Sequence, residues 1–123
     1  MKKLMLIFFV CFIAISVNAQ FSHTKWTGAI KGDNPRDAVL KFGKDTLVLS
    51  AASDGSVIET MTYLVKENVL TVTKISGQSD CAVYSIGKYK FELKESALNI
   101  SILADDCEDR SSALDKTGWV KKK

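Results

Sequence analysis

Few residues in this chain of 123 have side chains suited to catalysis. His23 is the only histidine, and because it precedes the first predicted strand, no Ser/His/Asp or Cys/His arrangement can be built around it. Asp105 and Asp106 are neighbouring acids, but a role at the start of a predicted helix accounts for them more simply. No glycine-rich phosphate loop occurs. The sequence therefore predicts a protein that is not an enzyme and that uses neither a metal nor a cofactor.

Two of the three cysteines, Cys81 and Cys107, lie outside the apolar N-terminal segment. An even pair in an exported chain predicts one disulfide. Closing a separation of 26 residues would restrict the unfolded chain by roughly 3 to 4 kcal/mol. A metal or redox pair is the alternative, but the chain has no Cys-x-x-Cys and His23 is distant in sequence. We therefore expect a structural disulfide.

The N-terminus has the pattern of an export signal. Two lysines precede 14 largely apolar residues, 4–17, and small residues follow at Val17-Asn18-Ala19. The run is shorter than the roughly 20 residues that span a bilayer, which argues against a membrane anchor. Lipidation at Cys11 is disfavoured because bulky Val10 precedes it. We expect cleavage after Ala19, a single domain over residues 20–123, and a secreted or periplasmic location.

Composition limits the partners of that domain. The chain has 46% hydrophobic and 25% charged residues, a composition typical of a globular protein. Removing the signal removes two of the 17 basic residues and none of the 14 acidic ones, so the formal charge falls from +3 to +1. Near-neutrality disfavours nucleic acid and anionic membranes as partners. The terminal lysines at 121–123 are interpreted as a solubilising tail.

Alternation of apolar and polar residues with a period of two predicts an all-β fold. Turn residues such as Asp54-Gly55 separate the candidate strands at short intervals, so neighbouring strands should pair antiparallel. One segment, 105–114, instead predicts a helix of two turns; its four acids lack the spacing and central glycine of a calcium loop. The candidate strands are residues 25–30, 37–42, 46–51, 57–65, 69–75, 81–86, 88–93, 97–103 and 118–121.

The alternation also predicts which side chains face inward, because a slip of one residue would turn a strand over. In residues 46–51 and 57–65 the parity is ambiguous, and for the second segment we choose the row ending at Glu59, which would lie at the mouth of a barrel. Closing so many strands into a barrel removes the exposed edges of an open sheet. The predicted inward residues are Trp26, Leu40, Phe42, Met61, Tyr63, Val65, Leu70, Val72, Tyr89, Phe91, Leu93, Leu98, Ile100 and Ile102.

Several of these elements, taken together over most of the chain, resemble bacterial lipocalin-like proteins of the calycin group. The resemblance implies an eight-stranded antiparallel up-and-down barrel, a bond between Cys81 and Cys107 that pins the late helix, and Arg110 packed near Trp26 at the closed end. The segments that carry the resemblance are Trp26, Tyr63-Leu64-Val65, Asn68-Val69-Leu70, Gly87-Lys88-Tyr89-Lys90-Phe91, Asp106-Cys107-Glu108-Asp109-Arg110 and Trp119.

The predicted function is binding of a small hydrophobic or amphipathic ligand inside the barrel. Tyr63 and Tyr89 are candidates for orienting the ligand, because each joins an apolar ring to one hydroxyl; simple core packing with satisfied hydroxyls is an equal alternative. The expected ligand-binding residues are Phe42, Met61, Tyr63, Leu70, Val72, Tyr89, Phe91 and Ile100.

A second class of function needs no cavity. A rigid barrel can act through protein–protein contact, as in secreted protease inhibitors that insert an N-terminal arm into an active site. Residues 20–24 would be that arm here. The outward Leu64 and Leu103 fit either an ordinary surface or an interface, so the oligomeric state stays open.

Overall fold

A computed structural model describes residues 20–123, and the predicted signal segment, with Cys11, lies outside the described residues. The chain forms eight strands and one helix in the order β1 (Thr24–Ile30), β2 (Arg36–Phe42), β3 (Thr46–Ala51), β4 (Val57–Lys66), β5 (Val69–Gly77), β6 (Ile86–Lys94), β7 (Ala97–Asp105), α1 (Glu108–Leu114) and β8 (Thr117–Lys122). Among the described residues, no helix has the length and apolar character needed to cross a membrane.

The strands form a closed antiparallel barrel in sequence order, which confirms the predicted fold class. β1 completes the ring by pairing with both β2 and β8, with Gly28 opposite Trp119 in the latter pair. Because the topology is up-and-down, the connections after odd-numbered strands all lie at one end. We call this the helix end, since α1 connects β7 to β8 there. The other end, with the short connections 43–45, 67–68 and 95–96, is the turn end.

Period-two alternation places the apolar rows inside the barrel, as predicted. Met61, Tyr63 and Val65 are each at most 3% exposed, so the parity chosen for β4 is correct. Leu93 and Ile102 are exceptions, 36% and 37% exposed. Leu93 lies beside the turn at 95–96, and Ile102 adjoins an irregularity in the β6–β7 pairing.

The predicted strand over residues 81–86 is wrong. This stretch is a loop, and β6 begins only at Ile86. Tyr84 has a φ of 71°, which interrupts an extended chain. The backbone of Lys74 on β5 donates to the carbonyl of Ser85 at 3.1 Å and accepts from the Tyr84 N–H at 2.9 Å, and its ammonium donates to the carbonyl of Cys81 at 2.9 Å, which holds the loop against β5. The apolar residues that suggested a strand, Val83 and Tyr84, are exposed.

Phe21 closes the turn end. It precedes β1 and is fully buried, with its ring stacked 4.7 Å from that of Phe42 and edge-on at 5.0 Å to that of Phe91. The ring of Phe42 in turn meets Tyr63 edge-on at 5.0 Å. Aromatic side chains bury large apolar areas, and these tilted and offset geometries are the favourable ones. Buried aromatic side chains thus fill the barrel at its turn end.

Candidate functional site

The helix end contains a cavity of about 210 Å³. Its walls come from four strands, from the loops 31–35 and 78–85, and from one side of α1. The apolar part of the wall is formed by Ile30, Leu49, Ile58, Met61, Ala113 and Leu114. Charged and amide side chains complete the lining, so a molecule held here would meet both apolar and polar groups.

A β-bulge shapes the floor of this cavity. In the β3–β4 pairing Leu49 lies opposite Glu59 and Ser50 opposite Val57, which leaves Ile58 unpaired. As a result two consecutive side chains, Ile58 and Glu59, are both buried, at 8% and 3% exposure. Strict alternation would have placed one of them outside. The bulge therefore sets an acid beside an apolar side chain at the cavity wall.

The Glu59 carboxylate is only partly satisfied. Its Oε2 accepts a hydrogen bond from the Ser79 hydroxyl at 2.7 Å. Its Oε1 has no hydrogen-bond partner among the described residues. A buried carboxylate normally receives several hydrogen bonds, because it has lost its water shell. Glu59 thus lines the cavity, and one of its carboxylate oxygens is buried next to Gly77 without a hydrogen-bond partner among the described residues.

Lys74 is the nearest cation to Glu59, with its Nζ 3.7 Å from Oε2. It is 4% exposed, and its hydrogen bonds go elsewhere: Nζ donates to the carbonyls of Ser79 and Cys81, both at 2.9 Å, and to the Ser79 hydroxyl at 3.3 Å. An ammonium has three donors. Lys74 therefore balances the charge of Glu59 and holds the loop 78–85, while leaving Oε1 unpaired.

Arg36 supplies the complementary group. It opens β2, opposite Ile30, and lines the same cavity. Its Nε is buried without a hydrogen-bond partner. No ion pair joins Arg36 to Glu59 in the described part of the chain. Two charged residues of the cavity lining thus each carry one buried polar atom without a hydrogen-bond partner, a donor on Arg36 and an acceptor on Glu59.

A second polar cluster anchors α1. Asp105 accepts from Arg110 Nε at 2.8 Å, from Arg110 Nη2 at 2.7 Å and from the Cys107 N–H at 2.8 Å. The Tyr89 hydroxyl also donates to Asp105. Gly87 faces Asp105 across the β6–β7 ladder, and a Cβ there would lie 2.4 Å from Asp105 Oδ2. The absence of a side chain at Gly87 makes room for this cluster.

The ionisation of this cluster follows from its burial and pairing. Burial alone would raise the pKa of Asp105, but hydrogen bonds from Arg110, Tyr89 and the Cys107 N–H outweigh it and hold that pKa below its usual value. For Arg110, burial opposes the charge, yet the contact with Asp105 raises its pKa. Burial, reinforced by the neighbouring carboxylate, raises the pKa of the Tyr89 phenol strongly. Asp105 and Arg110 are thus charged and Tyr89 is neutral near neutral pH.

The predicted cysteine pair reinforces the same region. Cys81 and Cys107 form a disulfide, with their Cα atoms 5.3 Å apart, and both residues are buried. Cys107 is the residue immediately before α1, and no side chain caps the helix. The bond therefore ties the start of α1 to the loop 78–85, so that two walls of the cavity are covalently linked.

The eight residues predicted to bind ligand do not share one cavity wall. Met61 lines the cavity at the helix end, and the other seven do not. Phe42, Tyr63 and Phe91 belong to the aromatic core at or near the turn end. The remaining four, Leu70, Val72, Tyr89 and Ile100, are buried in the barrel core.

The two tyrosines are engaged within the protein. The Tyr63 hydroxyl donates to the carbonyl of Gly43 at 2.7 Å. The Tyr89 hydroxyl donates to Asp105. The contacts of both hydroxyls therefore fit the core-packing alternative.

The structure does not bring Trp26 and Arg110 together. Trp26 is the third residue of β1, and its indole lies toward the turn end, 6.4 Å from the Phe21 ring. Arg110 lies on α1 at the helix end, where its guanidinium binds Asp105 and the carbonyl of Ser85. Because α1 follows an odd-numbered strand, it is at the far end from the start of β1. The buried partner of Arg110 is an acid and not an indole.

The proposed N-terminal arm is part of the barrel. Phe21 is fully buried, the His23 N–H donates to the carbonyl of Phe42 at 2.9 Å, and Thr24 already belongs to β1. Residues 20–24 are thus held by core packing and backbone hydrogen bonds. This observation weakens the interpretation of the segment as a free inhibitory arm.

Sequence reasoning singled out Glu59 as a mouth residue but missed its polar neighbours. A signal was present for Lys74, since it continues the inward row of Leu70 and Val72. A charged residue at the end of an inward row, on each of two paired strands, indicates a buried polar pair at the barrel mouth. Arg36 gave no such signal, because its burial depends on the fold of the loop before it.

Comparison with known proteins gave no further assignment: no protein-family model, no curated protein and no solved structure matches this chain.

Proposed function

We propose that this protein is an exported, lipocalin-like binding protein that holds one small amphipathic molecule in the cavity at the helix end of its barrel. The observation that carries the proposal is the cavity itself, a pocket lined by apolar side chains and by charged residues, two of which each carry a buried polar atom without a partner. The proposal keeps the binding role expected from the sequence and moves the site from the barrel centre to its mouth.

The size of the cavity limits the ligand. Ligand pockets for drug-sized molecules range from about 300 to 1,000 Å³. The cavity here has about 210 Å³, below that range. A retinoid or a fatty acid of ordinary length would not fit inside it. We infer that the part of the ligand held inside the cavity is smaller than a typical drug molecule.

The proposal includes no chemical step. The only imidazole, His23, lies at the turn end, far from the cavity. Export is proposed from the N-terminal pattern of residues 1–19. The direct measurement is the N-terminal sequence of the protein recovered from its host, which should begin at Gln20.

Binding is tested by native mass spectrometry of that recovered protein, together with its melting temperature before and after removal of small molecules. We expect a small molecule to be released on denaturation, and its return to raise the melting temperature. Ala113→Phe places a ring in the cavity and should abolish the effect. Ala104→Phe is the matched control, because Ala104 is exposed on β7. No released mass, with no thermal shift from any small probe, would remove the proposal.

A further inference from the structure

Resting on this proposed function, we propose that the cavity selects a small zwitterion: a molecule with an ammonium group for Glu59, a carboxylate for Arg36 and a short apolar body between or beside them. Two kinds of amino acid fit this description: α-amino acids with aliphatic side chains, and amino acids whose amine and carboxylate are separated by an aliphatic chain. The inference comes from the charges that line the cavity and from their unused hydrogen-bonding positions.

Glu59 defines the cationic end of the ligand. Its carboxylate is 97% buried, lines the cavity, and has one oxygen without a partner. The neighbouring Lys74 cannot fill that position, because its ammonium is committed to Ser79 and Cys81. A buried unpaired carboxylate oxygen is costly, and an N–H donor that bears positive charge relieves that cost most effectively. An anionic group would be repelled there.

Arg36 defines the anionic end. Its Nε is buried and lacks an acceptor, although the residue as a whole is only half-buried. The planar guanidinium favours carboxylates, which it can bind through two parallel hydrogen bonds. No carboxylate of the described residues forms an ion pair with it. A ligand carboxylate would supply the missing acceptor.

The charge balance of the whole lining favours a ligand with no net charge. Three cationic and three anionic side chains line the cavity. Three of the six are engaged with the protein: Arg110 binds Asp105, Lys31 Nζ donates to the carbonyl of Lys116 at 2.8 Å, and Asp109 accepts from the Asp80 N–H at 3.1 Å. Asp33 is exposed to solvent, which leaves Arg36 and Glu59 as the two with a buried unpaired atom. A molecule of single charge would leave one of the two unused groups unpaired, whereas a zwitterion serves both. The six side chains are Lys31, Arg36, Arg110, Asp33, Glu59 and Asp109.

The remaining wall selects the body of the ligand. Leu49, Ile58, Met61 and Leu114 are buried apolar side chains at the cavity. They would contact an aliphatic group and offer nothing to a hydroxyl-rich one. The cavity volume restricts this body to a few carbons. The geometry therefore points away from sugars and nucleotides and towards aliphatic amino acids.

The test is a titration of the exported protein, monitored by amide chemical shifts, with probes of similar size that differ in their charges. L-Leucine and 6-aminohexanoate are zwitterions with close and distant charges. 4-Methylpentanoate is leucine without its ammonium, L-leucinamide lacks the carboxylate, and hexan-1-ol lacks both. We expect at least one zwitterion to bind about tenfold or more tightly than each of the other three, since each loses a charge-assisted hydrogen bond.

Substitutions at Glu59 and Arg36 test which residue binds each charged group of the ligand. Glu59→Gln should weaken binding of the zwitterion by about tenfold or more, while Glu92→Gln, an exposed acid on β6, should leave it unchanged. If Glu59→Gln fails to fold, Arg36→Gln provides the independent arm: it should remove the preference for L-leucine over L-leucinamide, or the corresponding preference for 6-aminohexanoate over its amide.

The outcomes separate the inference from the proposed function. If hexan-1-ol binds as tightly as both zwitterions, and Ala113→Phe abolishes that binding, the cavity binds ligands but the zwitterion inference is overturned. The inference is also overturned if Glu59→Gln and Arg36→Gln both bind a zwitterion as the unmodified protein does. If no probe binds and no small molecule is released from the recovered protein, both proposals fail.

Discussion

Arg110 and Asp105 form a buried ion pair through two hydrogen bonds, Nε to Oδ2 at 2.8 Å and Nη2 to Oδ1 at 2.7 Å. The side chains are 3% and 0% exposed. The pair joins α1 to the end of β7, five residues earlier in the chain. Since α1 provides Ala113 and Leu114 to the cavity wall, the pair positions one side of the proposed binding site.

Removing one partner of this pair should cost much of the stability. Arg110→Met keeps most of the side-chain volume but leaves the Asp105 charge uncompensated, so we expect the free energy of unfolding to fall by about 3 to 5 kcal/mol. Urea denaturation measures the loss. Lys94→Met, at an exposed position on β6, should change stability by no more than about 0.5 kcal/mol. Equal losses in the two variants would contradict the role given to Arg110.

The same pair predicts a dependence of stability on acid. The pKa of Asp105 is lower in the folded protein than its ordinary value, because the hydrogen bonds from Arg110, Tyr89 and the Cys107 N–H outweigh the effect of burial. A carboxyl with a lowered folded-state pKa stabilises the protein above its unfolded pKa of about 3.9. That contribution is lost as the pH falls through the lower folded-state value.

We therefore expect the stability difference between the unmodified protein and Asp105→Asn to shrink as the pH falls below about 4. Chemical denaturation at a series of pH values between neutrality and strong acid measures it. Asp106→Asn, at the exposed neighbouring position, provides the control. Parallel stability curves for the unmodified protein and Asp105→Asn would refute the assignment.

The disulfide should govern the rigidity of the helix end. Replacing Cys81 and Cys107 with serine removes a link across 26 residues, and we expect a loss of roughly 3 to 4 kcal/mol. Amide hydrogen exchange should accelerate in the loop 78–85 and in α1, which the bond joins. The connection 43–45 at the turn end is the internal control and should keep its protection. Uniform acceleration throughout the barrel would show that the bond has no local effect.

Phe21 is expected to be essential to the core although it precedes the first strand. It is fully buried against Phe42 and Phe91, and truncation of such a ring costs about 3 to 5 kcal/mol. We expect Phe21→Ala to lower the free energy of unfolding by that amount. Leu64→Ala, at a side chain that is 60% exposed, should cost far less. A small effect at Phe21 would mean that residues 20–24 can leave the barrel without consequence.

Gly77 should tolerate no side chain, because of its contact with Glu59. A Cβ at Gly77 would lie 2.2 Å from Glu59 Oε1 and 2.6 Å from the carbonyl of Ile58, at a φ of +144°. Gly55 also has a positive φ, +75°, but has nothing within 4 Å. We expect Gly55→Ala to cost about 1 to 2 kcal/mol from backbone strain alone, and Gly77→Ala to exceed it by a further 1 to 3 kcal/mol or so from crowding. Thermal denaturation of both variants compares the two costs.

The strands and their inward faces were largely predictable from the sequence. In β4 to β7, the rows that include Met61, Leu70, Tyr89 and Leu98 alternate with polar residues, and a pleated strand places alternate side chains on opposite faces. The stretch 81–86 misled the prediction because an apolar run does not reveal whether a neighbouring strand is available to pair with it. The buried Lys74 and the disulfide hold that stretch as a loop instead.

The cavity was not predictable in the same way. The bulge that buries both Ile58 and Glu59 breaks the alternation on which the prediction depended. The partner of Arg110 was missed because Asp105 reaches it through the space left by Gly87 on another strand. Such contacts depend on which strands become neighbours and in what register.

Residue order specifies short antiparallel strands, each with one apolar face, and one late helix, because hydrophobic periodicity and turn chemistry are local properties. Closure of the barrel sets where the interior is filled, where it is open, and which polar atoms lack a partner. A cavity is the space that side chains from distant strands leave unfilled, so its position depends on how the barrel closes as a whole.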